Sequence, residues 1–488
     1  MPRHPRVRGG GAAKRTVDAP EPTCFSGHVT RVVEADYLVV GAGATGMAFT
    51  DTLIDHADVG VAMVDRRHGV GGHWLEAYPF VRLHQASAFY GVASTLLGRG
   101  RVQRQGPEAG LQERATRSEI CAYYERLLAR LQESGGVEFF GSCEYVGDRT
   151  FVSRISGEWF AVPQHCRIVD ANYLSPRIPA EKPPPFDVAD DARVIPVNEL
   201  ARLQAAPSQY VIVGSGKTAT DTCVWLLAHG VDPDAICWVR PREPWMLNRA
   251  VVQPDPVVFI GMVADTMQAA EEAASLEDLF LRLEDAGIML RIDPSVVPTM
   301  AKTPTLAEWE LEVLRTIEHV VRLGHIDRVQ RGRVDLAGGS IAIADDAIVV
   351  HCAGEGLRYP PLVPVWGPEA ITLQPIRAGF PCFGAALIGY VEATRDHDDE
   401  KNRLCPPSPL PDSMAGWARM SVLGARAAAA FGSEPDIKAW ADRVALNPAR
   451  IPPERAGSAE LRATLDRVHA HTRPGLARLA ELGGVEPS

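Results

Sequence analysis

A chain of 488 residues is too long for one ordinary hydrophobic core, so two or three domains are expected. Hydrophobic residues at 46%, charged residues at 23% and a net charge of -11 describe an ordinary globular protein and argue against nucleic-acid binding. No apolar run reaches the roughly eighteen residues a membrane span needs. Only six of the 50 basic residues are lysine, which reads either as guanidinium-dependent binding or, more simply, as G+C-rich codon usage.

In chain order, Met1 to Pro20 is basic and Gly/Ala-rich without the apolar stretch of a secretion signal, so a disordered leader over residues 1–34 and a cytoplasmic location are expected. Tyr37-Leu38-Val39-Val40 then reads as a buried parallel strand and leads directly into G-x-G-x-x-G, formed by Gly41, Gly43 and Gly46. In such a loop the first glycine permits the turn, the second admits a pyrophosphate, and the third lets helix and strand pack closely. The following helix aims its free N–H groups at the phosphates. A second apolar strand, Val59 to Val64, ends in Asp65, 24 residues after Gly41. A carboxylate there accepts hydrogen bonds from a ribose 2′-OH and repels a 2′-phosphate, which fits FAD or NADH. Arg66 adjoins this site. No cysteine lies between Cys24 and Cys121, so the redox pair of a flavoprotein disulfide reductase is missing. None of the nine cysteines forms C-x-x-C, which makes metal sites and structural disulfides weak hypotheses.

The Pro-rich segment Pro176 to Pro185 marks a boundary. A second strand and loop follow, Tyr210 to Val213 with Gly214, Gly216, Lys217 and Thr218, and Ala219 in place of the third glycine. Its companion strand, Ile236 to Val239, ends in Arg240-Pro241-Arg242. Arginine there clamps a 2′-phosphate, which points to NADPH, unless both are solvated loop residues. The Gly216-Lys217-Thr218 run mimics a kinase phosphate loop, but the glycine that loop requires is Val211.

Each half continues with helices, a meander (Val137 to Val162; Arg328 to Ala344) and another apolar strand, ending at Ala171 and at Ala353-Gly354. The expected fold is therefore α/β, with two Rossmann-like dinucleotide-binding domains and added helical segments. An NADPH domain over residues 206–335 is expected to interrupt a discontinuous FAD domain over 35–205 and 336–488. Residues 262–326 carry helical spacing, at Met267 to Leu283 and Leu306 to Leu323. They read equally as a cap over a substrate cavity or as a packing elaboration. The tail from Met414 is Ala/Arg-rich and helical.

Together, the two loops, 173 positions apart, and the run Gly71-Gly72-His73-Trp74 resemble the class B flavin monooxygenases over roughly residues 35 to 360. Tyr78-Pro79-Phe80-Val81-Arg82 resembles the stretch that follows G-G-x-W in that group. The resemblance implies that Gly71 and Gly72 let backbone approach the flavin and that Trp74, beside His73, packs against it. Asp65 through Gly91, and Gln374 through Glu392, resemble a wider set of FAD/NAD(P)-dependent oxidoreductases. Three features depart from the class B pattern. The histidine of F-x-G-x-x-x-H is absent from Ala192 to Leu200, His84 stands where a carboxylate is common, and Asp170-Ala171-Asn172 and Cys352-Ala353-Gly354 replace A-T-G.

The resemblance implies an FAD-dependent, NADPH-using monooxygenase that acts on a small molecule with O2 through a C4a-(hydro)peroxyflavin. The flavin supplies the hard chemistry, and the protein supplies orientation and a dry pocket. Arg82, His84 and Gln85 are the expected ring-side residues, with His84 as peroxide donor or acid–base group near operating pH, or a structural histidine. Arg249 is expected to steady the nicotinamide or a peroxyflavin anion. Dehydrogenation without oxygen insertion is the alternative, and a non-catalytic redox sensor a third reading. Substrate and homo-oligomeric state are not readable from the sequence.

Overall fold

The computed structural model describes residues 23–25, 28–176, 178–354 and 356–486. In the first half, β1 (Tyr37–Val40), β2 (Val61–Val64), β3 (Val137–Phe140) and β4 (Arg167–Asp170) are parallel neighbours in the order β4-β1-β2-β3. Helix α1 (Ala44–His56) follows β1 directly, and α2 (Arg117–Glu133) precedes β3. Every residue of β2 is buried, as expected for a strand covered on both faces. Thr116 starts α2 with a capping box, its hydroxyl and the Glu119 carboxylate satisfying each other's free N–H groups.

The second half repeats this plan. Strands β5 (Val194–Pro196), β6 (Tyr210–Val213), β7 (Ile236–Val239), β8 (Val320–Val321) and β9 (Ile348–His351) form a parallel sheet in the order β5-β9-β6-β7-β8. Helix α3 (Lys217–Ala228) follows β6 as α1 follows β1. Strand β10 (Ile371–Thr372) then joins the first sheet beside β4, giving it the matching order β10-β4-β1-β2-β3. Each half also carries three antiparallel strands between its third strand and its returning strand, over 143–161 and 326–342. Two doubly wound dinucleotide-binding units built on one plan are thus the architecture.

Several boundaries differ from the expected ones. The second unit is not confined to 206–335. Asp187–Val188 pairs with Ile326–Gln330, and β5 and β9 both belong to the second sheet, so this unit extends through the end of β9. The expected leader is partly structured: Thr30–Val32, in the strand His28–Val32, pairs in parallel with Trp159–Ala161 and extends the first meander sheet. Residues 1–22 lie outside the described residues. The first meander begins at Cys143, because Val137–Phe140 is the parallel strand β3.

The 262–326 segment is also less helical than its spacing suggests. Helix α4 (Pro256–Glu272) stops before Ser275, whose hydroxyl caps a separate helix, Leu276–Asp285. After Leu306 only Glu308–Leu314 is α-helical, and Val320–Val321 completes the second sheet. Leu306 itself belongs to a short strand beside Trp245–Asn248.

Past β10, α5 (Pro381–Thr394) packs along α1. Glu392, fully desolvated near its end, accepts from Tyr37 of β1, Arg167 of β4, Trp366 and Lys401, fixing the returning chain to the first sheet. The terminal helix α6 (Ala459–Gly483) lies along α4 of the second half rather than on the first. A side chain at Gly475 would overlap the Met267 carbonyl, so glycine permits this approach. No helix among the described residues is long and apolar enough to cross a membrane.

Candidate active site

The first loop is built as the spacing requires. A Cβ at Gly46 would collide with the Gly41 carbonyl, so only glycine lets α1 pack this close to the turn. Gly71 donates its N–H to the Ala42 carbonyl at 2.9 Å, which fastens the Gly71-Gly72 turn to the loop. At Gly72, where φ is +61, a Cβ would stand 3.0 Å from the Gly43 Cα. Asp65 is 5% exposed, and its two oxygens accept the N–H groups of Ala42 (2.7 Å) and Arg67 (2.8 Å). Each oxygen keeps a further lone pair for a ribose hydroxyl. Arg66 is engaged with Glu181 at 2.6 Å. Asn172, in place of the glycine of A-T-G, sets its side-chain amide against Gly41.

The turn Gly72–Leu75 buries Trp74, whose indole N–H donates to the Tyr90 hydroxyl at 2.5 Å. Helix α2 supports it from behind, with Arg117 Nε donating to the Trp74 carbonyl at 2.9 Å. His73 lies beside the indole, and burial, reinforced by Arg67, lowers its pKa to about 4.

The second loop is more open. A Cβ at Gly216 would meet nothing within 4 Å. Ala353, after β9, stands against Gly214. Beyond β7, Arg240 is 2% exposed and stacked on Trp238 at 4.6 Å, with Glu243 3.3 Å from its Nε. Its Nε and Nη1 are buried with no hydrogen-bond partner among the described residues. Arg242 is exposed and lies near Tyr359, whose ring also receives Lys302 at 4.9 Å. The sequence reading missed Lys302 and Tyr359, because their nearness to Arg242 exists only after folding.

Lys217 and Thr218 behave differently from loop residues that simply face a phosphate. Lys217 closes onto Asp221 one turn along α3, and Asp221 also accepts from Tyr78 at 2.7 Å. Tyr78 belongs to the first half, so this contact joins the two units. Thr218 also bonds Tyr78. Desolvation lowers the Lys217 pKa and raises that of Tyr78 well above the ordinary value.

His84 lies between the halves. The residue keeps solvent-exposed surface, yet desolvation by the surrounding protein, together with Lys217 and Arg249, lowers its pKa to about 3. The expected acid–base group near operating pH is therefore corrected to a neutral imidazole. Its Nδ1 faces the Thr305 N–H at 3.5 Å, which favours the tautomer with the proton on Nε2. Gln85 is half-buried, and its amide makes no hydrogen bond among the described residues.

Arg249 also has a different part from the expected one. It is 1% exposed and held by three acceptors: Nε donates to the His84 carbonyl (3.0 Å), Nη1 to Glu108 (2.8 Å) and Nη2 to Glu310 (2.7 Å). Its charge is shared with two buried carboxylates, so it faces them rather than an open ligand space. Arg82 lies on the α2 side near Glu119 and lines a separate cleft. Arg377, just before α5, went unnoticed in the sequence. Its guanidinium makes no hydrogen bond or ion pair among the described residues, and burial lowers its pKa to about 10.

No family model matches the chain. Two uncharacterized proteins, from Mycobacterium tuberculosis and Mycobacterium bovis, are each 42% identical over 421 residues, covering 86% of this chain and 78% of their own. Among solved structures, cyclohexanone monooxygenase from Rhodococcus sp. Phi1 bound to NADP+ is 16% identical, with 91% of this chain and 98% of that one covered and a TM-score of 0.45. An oxidized steroid monooxygenase bound to NADP is 15% identical, with 91% and 99% covered and a TM-score of 0.45. A flavin-containing monooxygenase from Stenotrophomonas maltophilia is 14% identical, with 74% and 97% covered and a TM-score of 0.39. At these values the structural likeness carries no functional argument.

Proposed function

The chain belongs to one family with the uncharacterized proteins of Mycobacterium tuberculosis and Mycobacterium bovis, and from that premise we propose that it is an FAD-dependent, NADPH-using monooxygenase acting on a small molecule with O2. The observation that carries this reading is the pair of glycine loops on two correspondingly ordered parallel sheets, with His84 where the halves meet. The residues fit the two groups differently. At the first loop, Asp65 offers a carboxylate and the Gly43–Gly72 approach offers bare backbone, which suits the ribose and pyrophosphate of FAD. At the second, open Gly216, exposed Arg242 and the unpartnered donors of Arg240 suit NADPH and its 2′-phosphate.

FAD bound at the first loop supplies acceptance of hydride from NADPH and activation of O2. The chain's own residues orient and enclose that chemistry. Buried Trp74, held by the partly exposed Tyr90, forms a wall that would keep water from one side. His84, neutral across the physiological range, offers a hydrogen bond from Nε2 without bringing a charge. Arg249 and Thr305 hold the His84 main chain from the second half, so His84 is aligned only while the halves are in register. Arg377 and Gln85 are further polar groups on the first half.

The visible spectrum of the purified protein and an anaerobic NADPH titration test the cofactors. Turnover under oxygen-18 gas tests the reaction, with one labelled atom expected in the product. A protein that binds no FAD on reconstitution overturns the reading, and FAD turnover with unlabelled product moves it to a dehydrogenase or reductase. That second reading is favoured by one observation: Glu108 and Glu310 occupy Arg249, so it gives an oxygen anion no cationic partner.

A further inference from the structure

A cleft of about 1040 Å³ opens on the first half, on the face of α2 opposite the one that supports Trp74. Arg117 and Cys121 turn towards the Trp74 carbonyl, whereas Ser118, Ala122 and Arg126 turn into the cleft. This half-turn offset on one helix makes α2 the wall between the two spaces. The volume is that of a pocket for a small organic molecule.

Six arginines line it, in a chain whose net charge is -11. Two are committed: Arg114 to Glu108, and Arg130 to Asp51 at 2.8 Å. The other four, Arg82, Arg99, Arg101 and Arg126, make no side-chain hydrogen bond or ion pair among the described residues. Only two carboxylates lie in the lining; both keep their charge, Glu119 with Arg82 nearby, and the arginines remain in excess. Glu113 accepts the N–H groups of Arg99 and Arg101, and Glu119 accepts the Thr116 N–H at 2.8 Å. Leu97, Tyr123 and Leu127 supply a buried apolar floor.

We propose that this cleft binds an organic diphosphate, its charged end held by Arg82, Arg99, Arg101 and Arg126 and its apolar body against Leu97 and Leu127. Four guanidinium groups facing one concavity repel each other, and a multivalent anion relieves that repulsion. The guanidinium fork matches phosphate oxygens two at a time, which an ammonium cannot do. The concavity selects a small molecule over an extended polyanion, and the apolar floor selects an organic body over the bare ion. The site is independent of the redox reading, since α2 separates it from the glycine loops and binding needs no turnover.

Geranyl diphosphate is a suitable probe, because it carries a diphosphate and an apolar chain but no nucleoside. Calorimetric titration of protein saturated with FAD and NADP+ is expected to give one saturable site that weakens with salt. The Arg99→Ala/Arg126→Ala variant should bind at least tenfold more weakly with an unchanged melting temperature, since both side chains are exposed and unpaired. Ala122→Phe, which fills the cleft and keeps every charge, should lose geranyl diphosphate while inorganic pyrophosphate still binds. Absence of saturable binding, affinity indifferent to these substitutions, or equal affinity for pyrophosphate and geranyl diphosphate in the unaltered protein would each overturn the proposal.

Discussion

Arg249, in the second half, donates from Nε to the main-chain carbonyl of His84, in the first, at 3.0 Å. The same guanidinium pairs with Glu108 of the first half and Glu310 of the second, so it ties the units together where His84 stands. Arg249→Ala leaves buried Glu108 and Glu310 sharing Arg114 alone and is expected to cost about 3–5 kcal/mol of stability. Arg249→Met combined with Glu310→Gln removes one charge of each sign, keeps the Arg114–Glu108 pair, and should recover most of that stability. If Arg249 positions His84, the double variant folds yet keeps a depressed kcat with little change in the KM for NADPH. A double variant with full kcat would reduce Arg249 to a structural strut.

The two depressed histidines set a pH dependence. His84 and His73 have folded pKa values of about 3 and about 4, below the ordinary histidine value, so the unfolded chain takes up their protons first as pH falls. Their contribution is complete above the unfolded histidine pKa and declines as pH falls towards the folded values. Melting temperature should therefore fall between neutral pH and pH ~4. His84→Asn and His73→Asn should each flatten that fall, and a slope unaltered in both variants would assign it to other groups.

Beyond β7, Arg242 and Lys302 converge on Tyr359. A 2′-phosphate held there would distinguish NADPH from NADH. Arg242→Ala is expected to raise the KM for NADPH roughly tenfold, the value of one charge-assisted contact, and to leave NADH nearly unaffected. Equal effects on both nucleotides would move the phosphate site elsewhere.

Glu392 accepts from Tyr37, Arg167, Trp366 and Lys401 while only 2% of its side chain is exposed. Glu392→Ala removes the acceptor of the Tyr37 hydroxyl and the Trp366 indole and leaves Lys401 and Arg167 only the half-exposed Asp398. A loss of about 3–5 kcal/mol is expected, read as a lowered melting temperature. Glu392→Gln, which keeps the shape and loses the charge, should fall between the two.

The doubled strand–loop–helix plan was legible because its glycines sit where backbone leaves no room for Cβ, as at Gly46 against Gly41, and such constraints mark the sequence directly. Asp65 was equally visible from its place at the end of β2. Other features depend on partners far along the chain. Strand β8 is two valines inside a stretch with helical spacing, and only its pairing with β7 makes it a strand. Strand β9 resembles the returning strand of either unit until its register against β6 is seen. Arg249 looked ligand-facing because Glu108 and Glu310, which neutralise it, lie 141 and 61 residues away. The arginine-lined cleft was invisible for the same reason, since α2 and the 95–103 segment meet only in three dimensions.

Helix α6 packs along α4 with about 200 residues of chain between them, as in the His471–Glu271 pair. During synthesis, α4 emerges with its apolar face uncovered and waits while β9, β10 and α5 are made. The layer over the second unit is thus sealed last, after both sheets can close, and until then α4 is the exposed surface most open to misassembly.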